Sequence, residues 1–299
     1  MSDACAFCGQ KSPLKESHVL PAFIFRWLRN RSGSGHIRHT ENPNKRVQDG
    51  LKLHWLCGDC ETKFSKYETA FATKLFHPWH SGQRKVTYSD WLLKFCVSVS
   101  WRVLKFARGH NPKAEYSDEQ ITLMDKAEQR WRGFLNGNVP HPSDFEQHLL
   151  IFDFAESTNI RDLPNNFNRF MSGAITLDII GSSRSLMTFS KLGSFMIFGV
   201  IQKGPDPWIG TKIHVRDGII KPGEFTVPIG LLDVFKEKAQ YSSEAMSKIS
   251  SPQRQKIKIN VLENLDKFKN SNQFSAIKAD VKMFGQQAVL WKEDPEDKY

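Results

Sequence analysis

Two Cys-x-x-Cys pairs, Cys5/Cys8 and Cys57/Cys60, constrain this chain more than any other feature. Each pair brings two thiols together across one turn, and the four thiolates make the complete tetrahedral set that structural zinc prefers. The gap between the pairs is far longer than that of a zinc ribbon, so the enclosed segment has to be housed by the metal unit. Gly9 after the first pair marks a turn. After the second pair, Phe64, Tyr67, Phe71 and Leu75 recur at helical spacing. Cys57 and Cys60 therefore open a helix, whose N-terminal dipole favours thiolate charge. The expected metal is Zn²⁺ on Cys5, Cys8, Cys57 and Cys60. Cys96 lies in an apolar helical run and reads as a buried, inert thiol.

Cysteines at ligand spacing point to a reducing compartment. The start lacks a basic stretch followed by an apolar one, and the most apolar run, Trp91 to Ala107, is interrupted by Lys94, Arg102 and Lys105. That run is too short and too charged to span a bilayer, so the expected setting is cytoplasmic with no membrane partner. The net charge of +10 resides in one part of the chain. Residues 1–115 hold 19 Lys and Arg against 9 Asp and Glu, whereas residues 116–299 hold 23 of each. A basic excess confined to the cysteine-bearing part suits a polyanion, nucleic acid first.

The expected fold class is α+β, in three stretches. Residues 1–80 form a zinc-centred unit, with a short helix from Pro21 through Leu28, a mobile loop from Asn30 to Gly35, and a strand from Leu51 to Leu56 delivering Cys57. Residues 81–140 are helical. A mostly apolar helix runs from Tyr88 to Arg108, and a second starts at the capping box Ser117-Asp-Glu-Gln120 and stops at Asn136-Gly137. Residues 141–299 carry β-rich runs at 149–154, 174–180, 185–189 and 195–201, which suggest an antiparallel sheet. Asp217-Gly218 between Lys212–Val215 and Ile219-Ile220 signals a hairpin. Helices follow Pro228, broken at Pro252 and continuing to about Phe268, and residues 293–299 form an acidic, frayed end.

The run Cys5-x-x-Cys8-Gly9, then Ser17-His18-Val19-Leu20-Pro21, then Leu56-Cys57-x-x-Cys60-Glu61 resembles the four-cysteine HNH endonucleases over residues 1–75. That family has a treble-clef, ββα-metal fold. The resemblance implies that His18 is the general base activating water against a phosphodiester. It also implies a structural zinc and a separate catalytic Mg²⁺ or Mn²⁺. Three positions depart from the family pattern: Ser17 where an acid usually precedes the histidine, Asp49-Gly50-Leu51 where an asparagine is expected, and Glu61 after the last cysteine. Asp49 and Glu61, or Glu68 further along the helix, are oxygen donors able to stand in. The other outcome is a lost catalytic metal site, with His18 bracing the knuckle.

Arg26, Arg29, Arg31, Arg38, Lys45 and Arg46 cluster in the same segment and suit phosphate neutralisation, against the alternative of a solvated face. Trp27 and Trp55 are either base-stacking platforms or core. His36 and His39 read as solvent- or phosphate-facing, and His77 and His80 as a packed turn. The expected activity is metal-dependent DNA cleavage, with the C-terminal stretch regulating it or meeting a protein partner. A nuclease with so large a second part resembles effectors of defence against phage. The alternatives are a non-catalytic zinc module that binds nucleic acid, and a zinc-stabilised protein adaptor.

Overall fold

The structure is a computed structural model and describes residues 4–32, 34–110 and 116–289. The acidic end at 293–299 lies outside the described residues. Near the N-terminus, β1 (Leu14–His18) leads through Pro21 into α1 (Ala22–Arg31). A small hairpin of β2 (Ile37–Arg38) and β3 (Arg46–Val47) follows. Then β4 (Lys52–Cys57) runs antiparallel to β1 and passes directly into α2 (Gly58–Phe71). The helix that α1 forms is one turn longer than its apolar residues alone suggest, because Arg29 and Arg31 complement the dipole of its last turn.

A wide helical turn over Ala72–Phe76 continues α2 into α3 (His77–His80), and β5 (Val86–Tyr88) precedes the long α4 (Asp90–His110). The helix α5 (Asp118–Leu135) starts on the expected capping box: Ser117 Oγ accepts from the Gln120 N–H, and Gln120 Oε1 accepts from the Ser117 N–H. After these come β6 (Gln147–Ile151), α6 (Phe167–Gly173), β7 (Ile175–Ser182), β8 (Ser185–Leu192) and β9 (Phe195–Gln202). They give a four-stranded antiparallel sheet of order β6-β9-β8-β7. A short β10 (Gly218–Ile220) and the helices α7 (Gly230–Ser247), α8 (Ser251–Glu263), α9 (Leu265–Lys269) and α10 (Asn272–Phe284) complete the described chain.

The protein is thus α+β, with an N-terminal cysteine cluster, a helical middle and a C-terminal antiparallel sheet. The expected hairpin at Asp217-Gly218 does not form. Instead β10 pairs with β5, and Lys212 and Ile213 pair with β6. Distant edges offered backbone partners, and Tyr88 Oη accepts from the His214 N–H.

Helix α4 lies between α2 on one side and the sheet on the other. Trp101, fully buried, meets Phe7 at 5.0 Å and Phe64 at 5.8 Å between ring centroids, while Phe71 stacks on Phe95 at 3.9 Å. Phe195 of the sheet reaches Phe71 and Phe76. One apolar core therefore extends from Cys5 through the helical middle to the sheet. On the opposite face of the sheet a second core joins Phe189 and Phe198 to Phe167, Phe170 and Phe235 of α6 and α7.

Candidate functional site

The four cysteines converge. Cys5 and Cys8 lie on a tight knuckle closed by the Gly9 N–H donating to the Cys5 carbonyl, Cys57 ends β4, and Cys60 lies in the first turn of α2. Their sulfurs all lie within 4.8 Å of one another, and none is in a disulfide. Cys8 Sγ and Cys57 Sγ are 3.8 Å apart. Zinc with thiolates at about 2.3 Å places sulfurs about 3.8 Å apart at the corners of a tetrahedron, so this set fits the ion. Burial opposes ionisation of Cys5, but the backbone N–H groups of Cys8, Cys57 and Phe7 bring its thiol down to about 7. The Cys57 N–H donates to Cys5 Sγ at 3.3 Å. Among the described residues this is the only convergent group of three or more His, Cys, Asp or Glu side chains.

Antiparallel pairing of β1 with β4 sets His18 opposite Lys52. His18 Nε2 lies 2.9 Å from Asp49 Oδ1, which also accepts from the Gly50 N–H at 2.9 Å. Asp49 Oδ2 meets Lys52 Nζ at 3.0 Å, and Lys52 Nζ meets Glu16 Oε2 at 3.5 Å. Burial opposes ionisation of Asp49, yet the Lys52 ammonium, the Gly50 amide and the His18 ring together hold its carboxyl at about 2. Asp49 first and then Glu16 push Lys52 above its ordinary value, so its charge is secure. Phe25 stacks near the imidazole, with ring centroids 6.4 Å apart. A Cβ at residue 50 would lie 2.2 Å from that phenyl ring, so Gly50 is the residue that lets Phe25 flank His18.

Behind the strand pair, the buried Arg102 of α4 donates through Nη1 to Glu68 Oε1 at 2.6 Å and to the His18 carbonyl at 3.2 Å. Glu68 is therefore spoken for. Ser17 is fully buried, with its hydroxyl donating to the Lys15 carbonyl. Glu61 lies with Ser65 and Thr69 on an open face of α2 and does not join His18 and Asp49. The oxygen donors needed for Mg²⁺ or Mn²⁺ do not converge: both Asp49 oxygens are engaged, Glu68 is paired, and an ammonium stands between Asp49 and Glu16. These residues do not fit a hard divalent ion.

Among the basic candidates, Arg29 donates to the Gln48 carbonyl at 3.4 Å, beside Asp49. Arg26, Arg31 and Lys45 are exposed. Arg46 lies 3.3 Å from His36 Nε2. Arg38 is engaged with the Pro43 carbonyl and with Gln253 Oε1 of α8. Trp27 and Trp55 are buried, so they belong to the core and do not present faces to bases. His80 packs on Trp27 at 4.4 Å and on Phe76 at 4.6 Å, but the segment is the short helix α3 and not the expected turn, and His77 is exposed. His39 is exposed, while His36 is tied to the Ser34 carbonyl.

Sequence reasoning missed Lys52, Glu16 and Arg102. The alternation around Lys52 marks a strand, but only its register against β1 places it beside His18. Among the described residues no helix is long and apolar enough to cross a membrane. Compared with family models, with curated proteins and with solved structures, the chain matches none.

Proposed function

We propose that the cysteine-centred N-terminal stretch hydrolyses phosphodiesters of nucleic acid, DNA first, with His18 as general base and Asp49 as the carboxylate that orients it. The observation that carries this reading is the His18 Nε2 to Asp49 Oδ1 contact of 2.9 Å. A carboxylate on one ring nitrogen fixes the tautomer and leaves the lone pair on the other. Nε2–H then donates to Asp49, and Nδ1 takes the proton of an attacking water. The water oxygen bonds to phosphorus. The opposite P–O bond breaks with its electron pair on the leaving oxygen, which takes a proton from solvent, and His18 then releases its own. A zinc ion held by Cys5, Cys8, Cys57 and Cys60 would keep β4 and α2 in place, outside these steps.

The basic excess of residues 1–115 supports a polyanionic substrate. Arg26, Arg29, Arg31, Lys45 and Arg46 are the candidates for backbone contacts, with Arg38 divided between substrate and the C-terminal helices. Supercoiled plasmid incubated with the zinc-loaded full chain is expected to be nicked. His18→Ala abolishes nicking, and Asp49→Asn lowers kcat by about a hundredfold or more, as loss of a base-orienting carboxylate does in hydrolases. Salt-dependent binding with no cleavage under any condition would instead identify a zinc module that only binds nucleic acid. Nicking unchanged in His18→Ala would remove the histidine from the mechanism.

A further inference from the structure

Resting on the phosphodiesterase reading, we infer that the Lys52 ammonium is a further catalytic residue, occupying the place a divalent cation would take beside His18, so that the site works without a second metal. The juxtaposition is specific. Lys52 is the direct cross-strand partner of His18, and directly opposed residues share one face of the strand pair. Its Nζ lies between Asp49 Oδ2 at 3.0 Å, the carboxylate that also meets the imidazole, and Glu16 Oε2 at 3.5 Å. A divalent cation serving a scissile phosphate would need those same oxygens. The acids that remain do not supply a substitute pair, since Glu68 is bound to Arg102 and Glu61 lies with Ser65 and Thr69 on an open face of α2.

The chemistry matches the position. A phosphate brought within reach of a water on His18 Nδ1 gains negative charge on its oxygens as the water attacks, and a fixed cation in the site stabilises that charge. Lys52 is part-exposed, with 31% of its side chain accessible, so a phosphate can reach it. Asp49 links the two roles: one carboxylate oxygen orients the base and the other holds the cation.

The test uses the zinc-loaded full chain, desalted into buffer freed of Mg²⁺ and Mn²⁺ over chelating resin, with bound zinc checked afterwards. The wild type is expected to cleave plasmid at the same rate, within about twofold, with or without added Mg²⁺. Lys52→Met is expected to lose about a hundredfold in the metal-free buffer, the scale of removing one transition-state charge partner. Added Mn²⁺ then restores at least a tenth of the loss, because Asp49 and Glu16 are freed as ligands.

Strict dependence of the wild type on Mg²⁺ or Mn²⁺, with Lys52→Met as active as wild type, overturns the assignment and leaves the phosphodiesterase reading intact. Absence of cleavage under every condition overturns that reading, and a second readout then decides the role of Lys52. Mn²⁺ titration followed by electron paramagnetic resonance is expected to show Lys52→Met binding at least tenfold more tightly than wild type. Adding Asp49→Asn removes the gain. Equal Mn²⁺ affinity in wild type and Lys52→Met overturns the placement of Lys52 at a cation position.

Discussion

Arg102 is 2% exposed and reaches from α4 to two points of the candidate site, Glu68 and the His18 carbonyl. A buried guanidinium stripped of its carboxylate is costly. Glu68→Gln is expected to destabilise the protein by about 3 kcal/mol, read as a lower urea midpoint with an unchanged slope. A change below half a kcal/mol would show that the pair is solvated. His18 and Asp49 were legible because one lies in a recognisable Ser-His-aliphatic-x-Pro run and the other is the sole acid of the Asp49-Gly50-Leu51 stretch. Lys52 and Arg102 were not, since the first depends on strand register and the second on how α4 docks. A lysine in an alternating strand and an arginine in an apolar helix look like ordinary solvated groups until the fold sets their neighbours. His148 shows the same limit. It is 1% exposed, stacked on Trp208 at 4.2 Å, and burial, aided by Lys212 and Lys203 and opposed by Glu146, pushes its pKa down to about 4.

At the scale of elements, local signals served where they were self-contained. The capping box at Ser117 and the four β-rich runs correspond to α5 and to β6 through β9 because each encodes its own ends or its own alternation. The turn signal at Asp217-Gly218 failed because strand pairing is decided by the partner, and β5 and β6 offered free edges. The docking of α4 on the sheet depends on one such non-local fit: a Cβ at Gly199 would come within 2.6 Å of Ser100 Oγ and 2.7 Å of Thr188 Oγ1. Gly199→Val is therefore expected to cost about 1–3 kcal/mol through forced displacement of α4, as a lowered thermal midpoint. An unchanged midpoint would mean that helix and sheet are not packed this closely.

For the molecule as a whole, one core joins Phe7 of the cysteine-bearing stretch, Trp101 of the helical middle and Phe195 of the sheet. Removal of a zinc ion bound at the four cysteines is therefore expected to lower the thermal midpoint of one cooperative transition and not to melt the N-terminal part alone. Acid acts on the whole molecule in a separate window. His80 and His148 both have pKa values near 4 in the folded protein, below the ordinary 6.5, so the unfolded chain binds more protons between those values. Stability from these residues is complete above pH 6.5 and is lost as pH falls toward 4, by about 3 kcal/mol for a group shifted this far. Urea midpoints across pH 4–7 are expected to fall on acidification, and less steeply in His148→Gln; parallel curves would exclude His148 as the cause.

The most direct test of the account is the metal itself, because β4 carries Lys52, pairs with His18 and ends at Cys57, where a zinc ion would anchor it. Metal analysis of the purified chain with X-ray absorption at the zinc edge is expected to give about one zinc per chain, with a single shell of four sulfurs near 2.3 Å. Cys57→Ser should lose the zinc and the cooperative unfolding transition with it. A fully folded, metal-free wild-type protein, or a zinc shell of nitrogen and oxygen, would contradict the account.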